Sequence, residues 1–280
     1  MRRDTGDNGF AACNSSIDAW PKVTAIEADA DKPYHSTPEQ QSPSNLMLID
    51  NYYSENESGI SFSRQQASEF AKCIADDFNP LHNPDAKLFC VPGDLLFALV
   101  LSKFGVFQQM RFVFSGMVDE SRSLHFSVSD ASPMKLLDSA GKCYLSVERG
   151  GKNSREVGLV ESLTRNYVEF SGHTFPHILV PLMSQHKVMI NPARPIAIYQ
   201  SMEIDLQRVD ISSAELEYSD ANLAVEGKRG NVRLDFLLKL SGETVGSGRK
   251  YMAIRGLRPF EQQVADDMVS RYMNYKQAGC

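Results

Sequence analysis

Apolar positions at helical spacing predict the first helix of the chain. They fall on one face, at Ala67, Phe70, Ala71 and Ile74. Ser63 followed by Gln66 forms a capping box, which places the start of the helix at Arg64. The helix should end near Asp76, because Pro80 disfavours helical backbone in the residue before it.

The next segment, residues 94–105, is apolar on nearly every side. A helix with apolar residues all round is buried rather than lying on a surface. Gly105 suits the residue that ends it. We therefore predict a central helix that other elements enclose.

The rest of the chain alternates between strand-like runs and turns. In the first half, strand-like runs cover residues 109–117, 124–128 and 143–148, and a turn or linker is predicted at 149–153. In the second half, strand-like residues 156–163 precede a helix start at 174–176 and an apolar helix over 177–189. Four more strand-like runs (196–206, 214–225, 232–240 and 244–254) and an amphipathic helix (260–275) follow.

One buried helix followed by long antiparallel strands occurs in each half, which predicts an α+β fold. Pairing the two sheets edge to edge would hide an exposed strand of each. The expected divisions are a disordered tail at 1–46, a first unit at 47–150, a second unit at 151–258 and a C-terminal helix at 259–280. Met47 is an alternative start codon, in which case the tail is not translated. A homodimer is compatible with this plan without being required by it.

Composition narrows the class of protein. Of 280 residues, 42% are hydrophobic and 23% charged, and the net charge of −6 argues against a nucleic-acid partner. The longest apolar run, Leu95–Leu101, is too short to span a membrane. Five cysteines without metal-ligand spacing predict no metal site and reduced thiols in a cytoplasmic protein.

The candidate chemistry lies in the string Asp77-Phe78-Asn79-Pro80-Leu81-His82, just before the buried helix. An Asp and a His five residues apart, on a turn stiffened by Asn-Pro, could hold one water between them. Asn79 would brace that turn through side-chain to backbone hydrogen bonds.

Over residues 60–105, this string, Phe62-Ser63 before it and the apolar helix opening at Gly93 resemble the R-specific enoyl-CoA hydratases of the MaoC-like type. The wider stretch 61–67 with 89–98 resembles a bacterial hotdog family of unknown function more closely. The resemblance implies a hotdog fold, in which an antiparallel sheet wraps a central helix. With the repeated plan, it predicts a double hotdog.

The resemblance also implies an activity and its residues. Asp77 and His82 would be the acid/base pair that hydrates a 2-enoyl-CoA to the 3-hydroxyacyl-CoA, or catalyses the reverse dehydration. The Gly93 amide would sit near the thioester oxygen, at a helix N-terminus that favours negative charge. Coenzyme A would be part of the substrate, with no separate cofactor. The second half lacks the motif, so we expect one site per chain.

Two departures from the family pattern keep alternatives open. Pro92 stands where the family usually carries His, and Asp94 stands where an apolar residue is common. A carboxylate at Asp94 would repel an enolate unless it points away. An acyl-CoA thioesterase and a non-catalytic acyl-CoA or lipid-binding protein therefore remain as hypotheses.

The segment Gly246–Lys250 suits a strand end with a bulge, and its basic pair Arg249-Lys250 could meet a coenzyme A phosphate.

Overall fold

The computed structural model describes residues 48–130 and 132–277. The predicted tail at 1–46 and the alternative start at Met47 lie outside the described residues. No helix in the described part is both long enough and apolar enough to cross a membrane.

The described residues form twelve strands and six α-helices. The strands are β1 (Ser54–Asn56), β2 (Gly59–Ser61), β3 (Val106–Phe114), β4 (Leu124–Ser129), β5 (Ser132–Asp138), β6 (Cys143–Ser154), β7 (Val188–Met189), β8 (Ile196–Leu206), β9 (Glu215–Glu226), β10 (Arg229–Leu240), β11 (Glu243–Arg255) and β12 (Arg258–Pro259). The helices are α1 (Arg64–Glu69), α2 (Gly93–Phe104), α3 (Val157–Gly172), α4 (Thr174–His177), α5 (Leu179–Gln185) and α6 (Gln262–Gln277).

The two helices of the first half form where local sequence signals place them. Ser63 Oγ accepts from the Gln66 amide at 3.1 Å, and Gln66 Oε1 accepts from the Ser63 amide at 3.0 Å, so the capping box at the start of α1 is confirmed. α1 continues into a π-helical segment at Phe70–Ile74. The buried helix is confirmed as α2, and Gly105 ends it with a φ of 80° that favours glycine.

Three predicted elements are wrong. Residues 156–163 are not a strand but the first half of α3, whose helical period becomes clear only over its sixteen residues. The predicted linker at 149–153 lies inside β6. The predicted helix 177–189 is shorter, because α5 ends at Gln185 and β7 begins at Val188. The sequence pattern does not predict β5, because Pro133 and polar residues interrupt the alternation of its apolar positions.

The main sheet contains ten antiparallel strands within the described residues, in the order β1-β2-β4-β5-β6-β3-β8-β11-β10-β9. The predicted α+β class with antiparallel sheet is therefore confirmed. The sequence predicts two sheets that pair edge to edge, and the β3–β8 pair joins the two halves in this way, from Gln109 opposite Asp205 to Val113 opposite Ser201.

The strand order repeats on the two sides of the β3–β8 pair. Going outward from β3, the strands are β6, β5, β4, β2 and β1; going outward from β8, they are β11, β10 and β9. In each half, the strand after the helical region lies at the centre, and the last long strand of that half pairs beside it. Within the described residues, the second half lacks counterparts of β1 and β2.

One face of the main sheet carries a row of charged residues across six strands. Its members are direct cross-strand partners from β6 to β9: Glu148, Arg111, Glu203, Arg249, Asp235 and Asp220. Arg111 Nε lies 3.3 Å from Glu203 Oε1, in the middle of the row. Such a row is typical of a solvated face, which leaves the opposite face of the sheet for the helices.

The core links both halves of the chain. The Phe97 ring on α2 lies 5.1 Å from Phe112 on β3 and 4.6 Å from Tyr167 on α3, measured between centroids. Tyr167 in turn lies 5.8 Å from Phe236 on β10. The buried residues of both halves belong to one cluster, so α2 and α3 pack together over the centre of the sheet.

Candidate active site

The segment 76–83 forms a compact turn between the π-helical segment and α2. The Asp77 amide donates to the Ala71 carbonyl at 2.8 Å, and Asp77 Oδ1 accepts from the Asn79 amide at 2.9 Å. Asn79 Oδ1 accepts from the Leu81 amide at 3.1 Å and caps the 3-10 turn Pro80–His82. Asn79 thus braces the turn, and the Asp77 side chain is held with Oδ2 free of these local bonds.

His82 and Asp77 face each other across this turn. His82 Nε2 lies 3.6 Å from Asp77 Oδ2, and His82 Nδ1 lies 2.7 Å from the Cys90 carbonyl oxygen. Because a carbonyl oxygen only accepts, Nδ1 carries a proton. In the neutral imidazole, Nε2 is then an acceptor that faces a second acceptor. A water that donates to both atoms satisfies this arrangement, as does a proton on Nε2.

Gly93 is the first residue of α2, and two aromatic rings fill the space beside it. A Cβ at this position would lie 3.0 Å from Tyr199 Cδ1 and 3.3 Å from Phe114 Cε1. Glycine therefore allows both rings to approach the N-terminus of the helix. The backbone amides at this end favour negative charge.

Next to Gly93 begins a chain of buried polar side chains from three elements. Ser171 of α3 donates its hydroxyl hydrogen to Asp94 Oδ2, and Lys250 of β11 donates to Ser171 Oγ. All three residues are buried: Asp94 is 6% exposed, Ser171 8% and Lys250 3%. The Lys250 Nζ also lies 4.5 Å from the centroid of the Tyr199 ring. We call Asp94, Ser171 and Lys250 the buried triad.

The buried triad and the motif turn share one electrostatic environment. Burial raises the pKa of Asp94, the positive charge of Lys250 and the Ser171 hydrogen bond oppose this rise, and the charge of Asp77 adds to it. Burial lowers the pKa of Lys250, against the charges of Asp94 and Asp77. Asp94 Oδ1 is buried and has no hydrogen-bond partner among the described residues. An unpaired buried oxygen is costly and indicates a place for a missing donor or acceptor.

Two tyrosines, Tyr167 and Tyr199, lie near Gly93 and the buried triad. The hydroxyl groups of Tyr167 and Tyr199 hydrogen-bond to each other. Burial raises the pKa of both phenols well above its ordinary value, and the charge of Asp94 adds to this. Both tyrosines are therefore neutral.

Helix α6 covers the outer side of the motif turn. The Phe78 amide donates to the Tyr272 hydroxyl at 3.3 Å, and the Tyr275 hydroxyl donates to Asn83 Oδ1 at 2.5 Å. Lys276 pairs with Asp76. Burial, with a contribution from the Asp77 charge, raises the pKa of Tyr272 to about 12. The C-terminal helix thus fixes the turn that carries Asp77 and His82.

Sequence analysis missed Ser171, Tyr167, Tyr199 and the inward position of Lys250. Because residues alternate along β11, Lys250 points inward, whereas Arg249 points outward to Glu203 and Asp235. The idea that Arg249 and Lys250 meet one phosphate together is therefore wrong. Met252 and Ile254 are buried at positions two and four residues beyond Lys250, and this alternation could have indicated a buried lysine.

Cys90 is close to the site but is not an activated thiol. Its carbonyl oxygen contacts His82, while burial raises the pKa of its thiol to about 11. A thiol with a raised pKa is a poor nucleophile. The site is consequently built from carboxyl, imidazole, hydroxyl and amine groups.

A family model described as "Protein of unknown function (DUF3581)" matches residues 47–263. No curated protein matches the sequence. Among solved structures, an acyl-CoA thioesterase II TesB2 from Mycobacterium marinum is 11% identical, with a TM-score of 0.36, and the match covers 60% of this chain and 91% of that one. A MaoC-like dehydratase is 10% identical, with a TM-score of 0.36 and coverage of 74% and 98%. The peroxisomal multifunctional enzyme type 2 from Drosophila melanogaster is 12% identical, with a TM-score of 0.38 and coverage of 70% and 47%.

Proposed function

The chain belongs to the family described as "Protein of unknown function (DUF3581)", and we propose that it hydrates a 2-enoyl thioester such as 2-enoyl-CoA, or catalyses the reverse dehydration. The observation that carries this proposal is the opposition of Asp77 Oδ2 and His82 Nε2 at 3.6 Å, on a turn fixed by its own hydrogen bonds. Two acceptors at this spacing suit a water molecule that is to lose a proton.

The reaction places three demands on the site. A base must take a proton from water as its oxygen attacks the β-carbon, an acid must protonate the α-carbon, and donors must stabilise negative charge on the thioester oxygen. Asp77 and His82 supply the base and acid. The Gly93 amide at the start of α2 supplies a donor for the oxygen. Coenzyme A belongs to the substrate, so no further cofactor enters the proposal.

A double hotdog fold is the second part of the proposal. The strand order repeats on both sides of the β3–β8 pair, and each half places a buried helix, α2 or α3, before its central strand. In this proposal the first unit spans 47–150 and the second spans 151–258. The second unit supplies Ser171 and Lys250 to a single site per chain.

The test uses crotonyl-CoA as the probe and follows both loss of the conjugated double bond and release of free thiol. We expect wild type to consume the double bond without releasing thiol, and Asp77→Asn and His82→Ala each to lose at least about 100-fold in kcat. His125→Ala, a change in β4 away from the site, is the matched control and should keep its rate. Thiol release in step with substrate loss would instead indicate a thioesterase.

A binding function is the second candidate, favoured by the packing of Tyr199 and Phe114 against Gly93. Rings in this place limit access to the helix N-terminus. This candidate predicts that acyl-CoA raises the melting temperature of wild type without any turnover. Failure of wild type to convert 2-enoyl-CoA of several chain lengths, together with such a shift, would replace the hydratase proposal with the binding one.

A further inference from the structure

We propose that Asp76 is a positioning residue for the reaction assigned above. Its carboxylate is held by His173 and Lys276, both from the second half of the chain. The turn that is fixed in this way aims Asp77 at His82. The inference rests on the proposed function, because it concerns the geometry of the same acid/base pair, and it gives a role to a residue that the motif string does not include.

Asp76 has a backbone conformation that residues other than glycine rarely adopt. Its φ is 53°, in the left-handed region where glycine is the usual residue after a helix. The turn follows the π-helical segment, and the Asp77 amide donates back to the Ala71 carbonyl at 2.8 Å. A residue other than glycine in this region carries strain that the surrounding structure must hold. This strained residue is bonded directly to Asp77.

Two donors from different elements converge on one oxygen of the Asp76 side chain. His173, just beyond the end of α3, donates from Nε2 to Asp76 Oδ2 at 2.6 Å. Lys276, in the last turn of α6, donates from Nζ to the same Oδ2. A single pair of partly exposed groups contributes little, whereas two pairs that share one atom form a small network that fixes it from two directions. The carboxylate thus fastens the strained backbone to both helices.

Tyr272 holds the backbone on both sides of Asp77. Its hydroxyl donates to the Asp76 carbonyl at 3.5 Å and accepts from the Phe78 amide at 3.3 Å. With the backbone fixed before and after it, Asp77 can move only about its side-chain torsions. Its Oδ2 then keeps its place 3.6 Å from His82 Nε2. Misplacement of a reacting group by about 1 Å costs on the order of 100-fold in rate, so the anchoring of Asp76 matters for turnover.

Glycine at position 76 separates the carboxylate from the backbone. Asp76→Gly keeps the left-handed turn without strain but removes the side chain, so a role of the backbone alone would leave kcat unchanged. With crotonyl-CoA as the probe, and with folding checked by circular dichroism, we expect Asp76→Gly to lose about 10- to 100-fold in kcat while KM changes less than about twofold.

Two further variants complete this comparison. Asp76→Asn tolerates the left-handed region and keeps an acceptor oxygen for one of the two donors, so it should lose less than about fivefold in kcat. Ser241→Gly is the matched control, because Ser241 has a φ of 50° in the turn between β10 and β11. It relieves the same kind of backbone strain and should keep the wild-type rate.

Lys276→Met tests whether the partner of Asp76 acts through it. Alone it should lose about three- to tenfold in kcat, and added to Asp76→Gly it should cost nothing further, since the pair is already broken. Lys239→Met is the matched control, because Lys239 forms a similar pair with Glu217 between β10 and β9. Losses that multiply in the double variant overturn the inference.

Proton–carbon NMR of the His82 ring reports the geometry of the acid/base pair without relying on activity. Asp77→Asn identifies the change in the His82 signals that follows loss of the carboxylate 3.6 Å from Nε2. Asp76→Gly should shift these signals in the same direction, whereas Asp76→Asn and Ser241→Gly should leave them close to wild type. Unchanged His82 signals in Asp76→Gly overturn the inference, whatever its rate.

The outcomes separate this inference from the hydratase proposal. Wild type without turnover, but with His82 signals that move in Asp76→Gly, leaves Asp76 as the residue that positions Asp77 and contradicts the hydratase. Wild type with turnover, together with wild-type kcat and His82 signals in Asp76→Gly, contradicts the inference and leaves the hydratase intact. Should Asp76→Gly fail to fold, Lys276→Met decides by the same two measurements.

Discussion

Asp94 and Lys250 come from different halves of the chain and are both nearly excluded from solvent. Each moderates the cost of burying the other through Ser171. Removing one member of a buried pair leaves an uncompensated group, whereas replacing both with uncharged side chains of similar size often costs little.

We therefore expect Lys250→Met to lower the free energy of unfolding by about 3–5 kcal/mol. The double change Asp94→Asn with Lys250→Met should recover much of this loss, giving a large coupling energy in a double-mutant cycle. Urea unfolding monitored by circular dichroism measures all four proteins. Additive single losses would mean that the two side chains do not act as a pair.

A second residue-scale feature is Gly172, at the end of α3. A Cβ there would lie 1.8 Å from the Ala75 carbonyl oxygen, a backbone atom that cannot move away without shifting the motif turn. Gly172 thereby lets α3 approach the segment that leads into Asp77. The same close approach brings Ser171 to Asp94.

Gly172→Ala should destabilise the protein by about 3 kcal/mol or move the motif turn, because overpacking against backbone is poorly relieved. Arg165→Ala, an exposed change in the same helix, is the control and should stay within about 0.5 kcal/mol of wild type. Chemical denaturation gives both values. Equal stability of the two variants would contradict the packing described here.

At the scale of elements, the sequence predicts features that depend on neighbouring residues but not contacts between residues far apart in the chain. The capping box at Ser63 and the ending of α2 at Gly105 depend on neighbours in sequence, so the pattern predicts both. The buried triad could not be predicted in this way, because its hydrogen bonds join residues that are 77 and 79 positions apart in the sequence. The position of Asp94 could be read from the sequence, but its partner could not.

Helix α6 is the element that holds the motif turn from outside. Tyr272→Phe removes the acceptor for the Phe78 amide and should lower stability by about 1 kcal/mol. Hydrogen exchange of the Phe78 amide should accelerate more than that of core amides. Tyr251→Phe is the control, since its hydroxyl has no hydrogen-bond partner shown among the described residues. Unchanged protection at Phe78 would contradict a fixing role for α6.

At the scale of the whole molecule, the two halves share one core and one sheet. The β3–β8 pair makes the sheet continuous, and the aromatic contacts from Phe97 to Tyr167 cross between halves. The predicted boundary near residue 150 lies inside β6, so the halves are joined by a strand rather than by a flexible linker. The apolar residues of each half are buried partly by residues of the other half.

We expect residues 48–277 to unfold in one cooperative transition, with near-UV and far-UV circular dichroism changing together in urea. A fragment that ends at residue 154 should remain unfolded, because α2 would lose α3 and β8 as packing partners. Two separate transitions, or a folded fragment, would show that the halves are independent units.

Mass spectrometry of the product formed from crotonyl-CoA in deuterated water tests the central claim most directly. Hydration by Asp77 and His82 predicts a 3-hydroxyacyl-CoA that has gained the elements of water, retains the thioester and carries one deuterium on its α-carbon. The Asp77→Asn protein should form almost none of it. Recovery of unchanged crotonyl-CoA with pure, folded wild type, or of free coenzyme A with the carboxylic acid, would contradict hydration at this site.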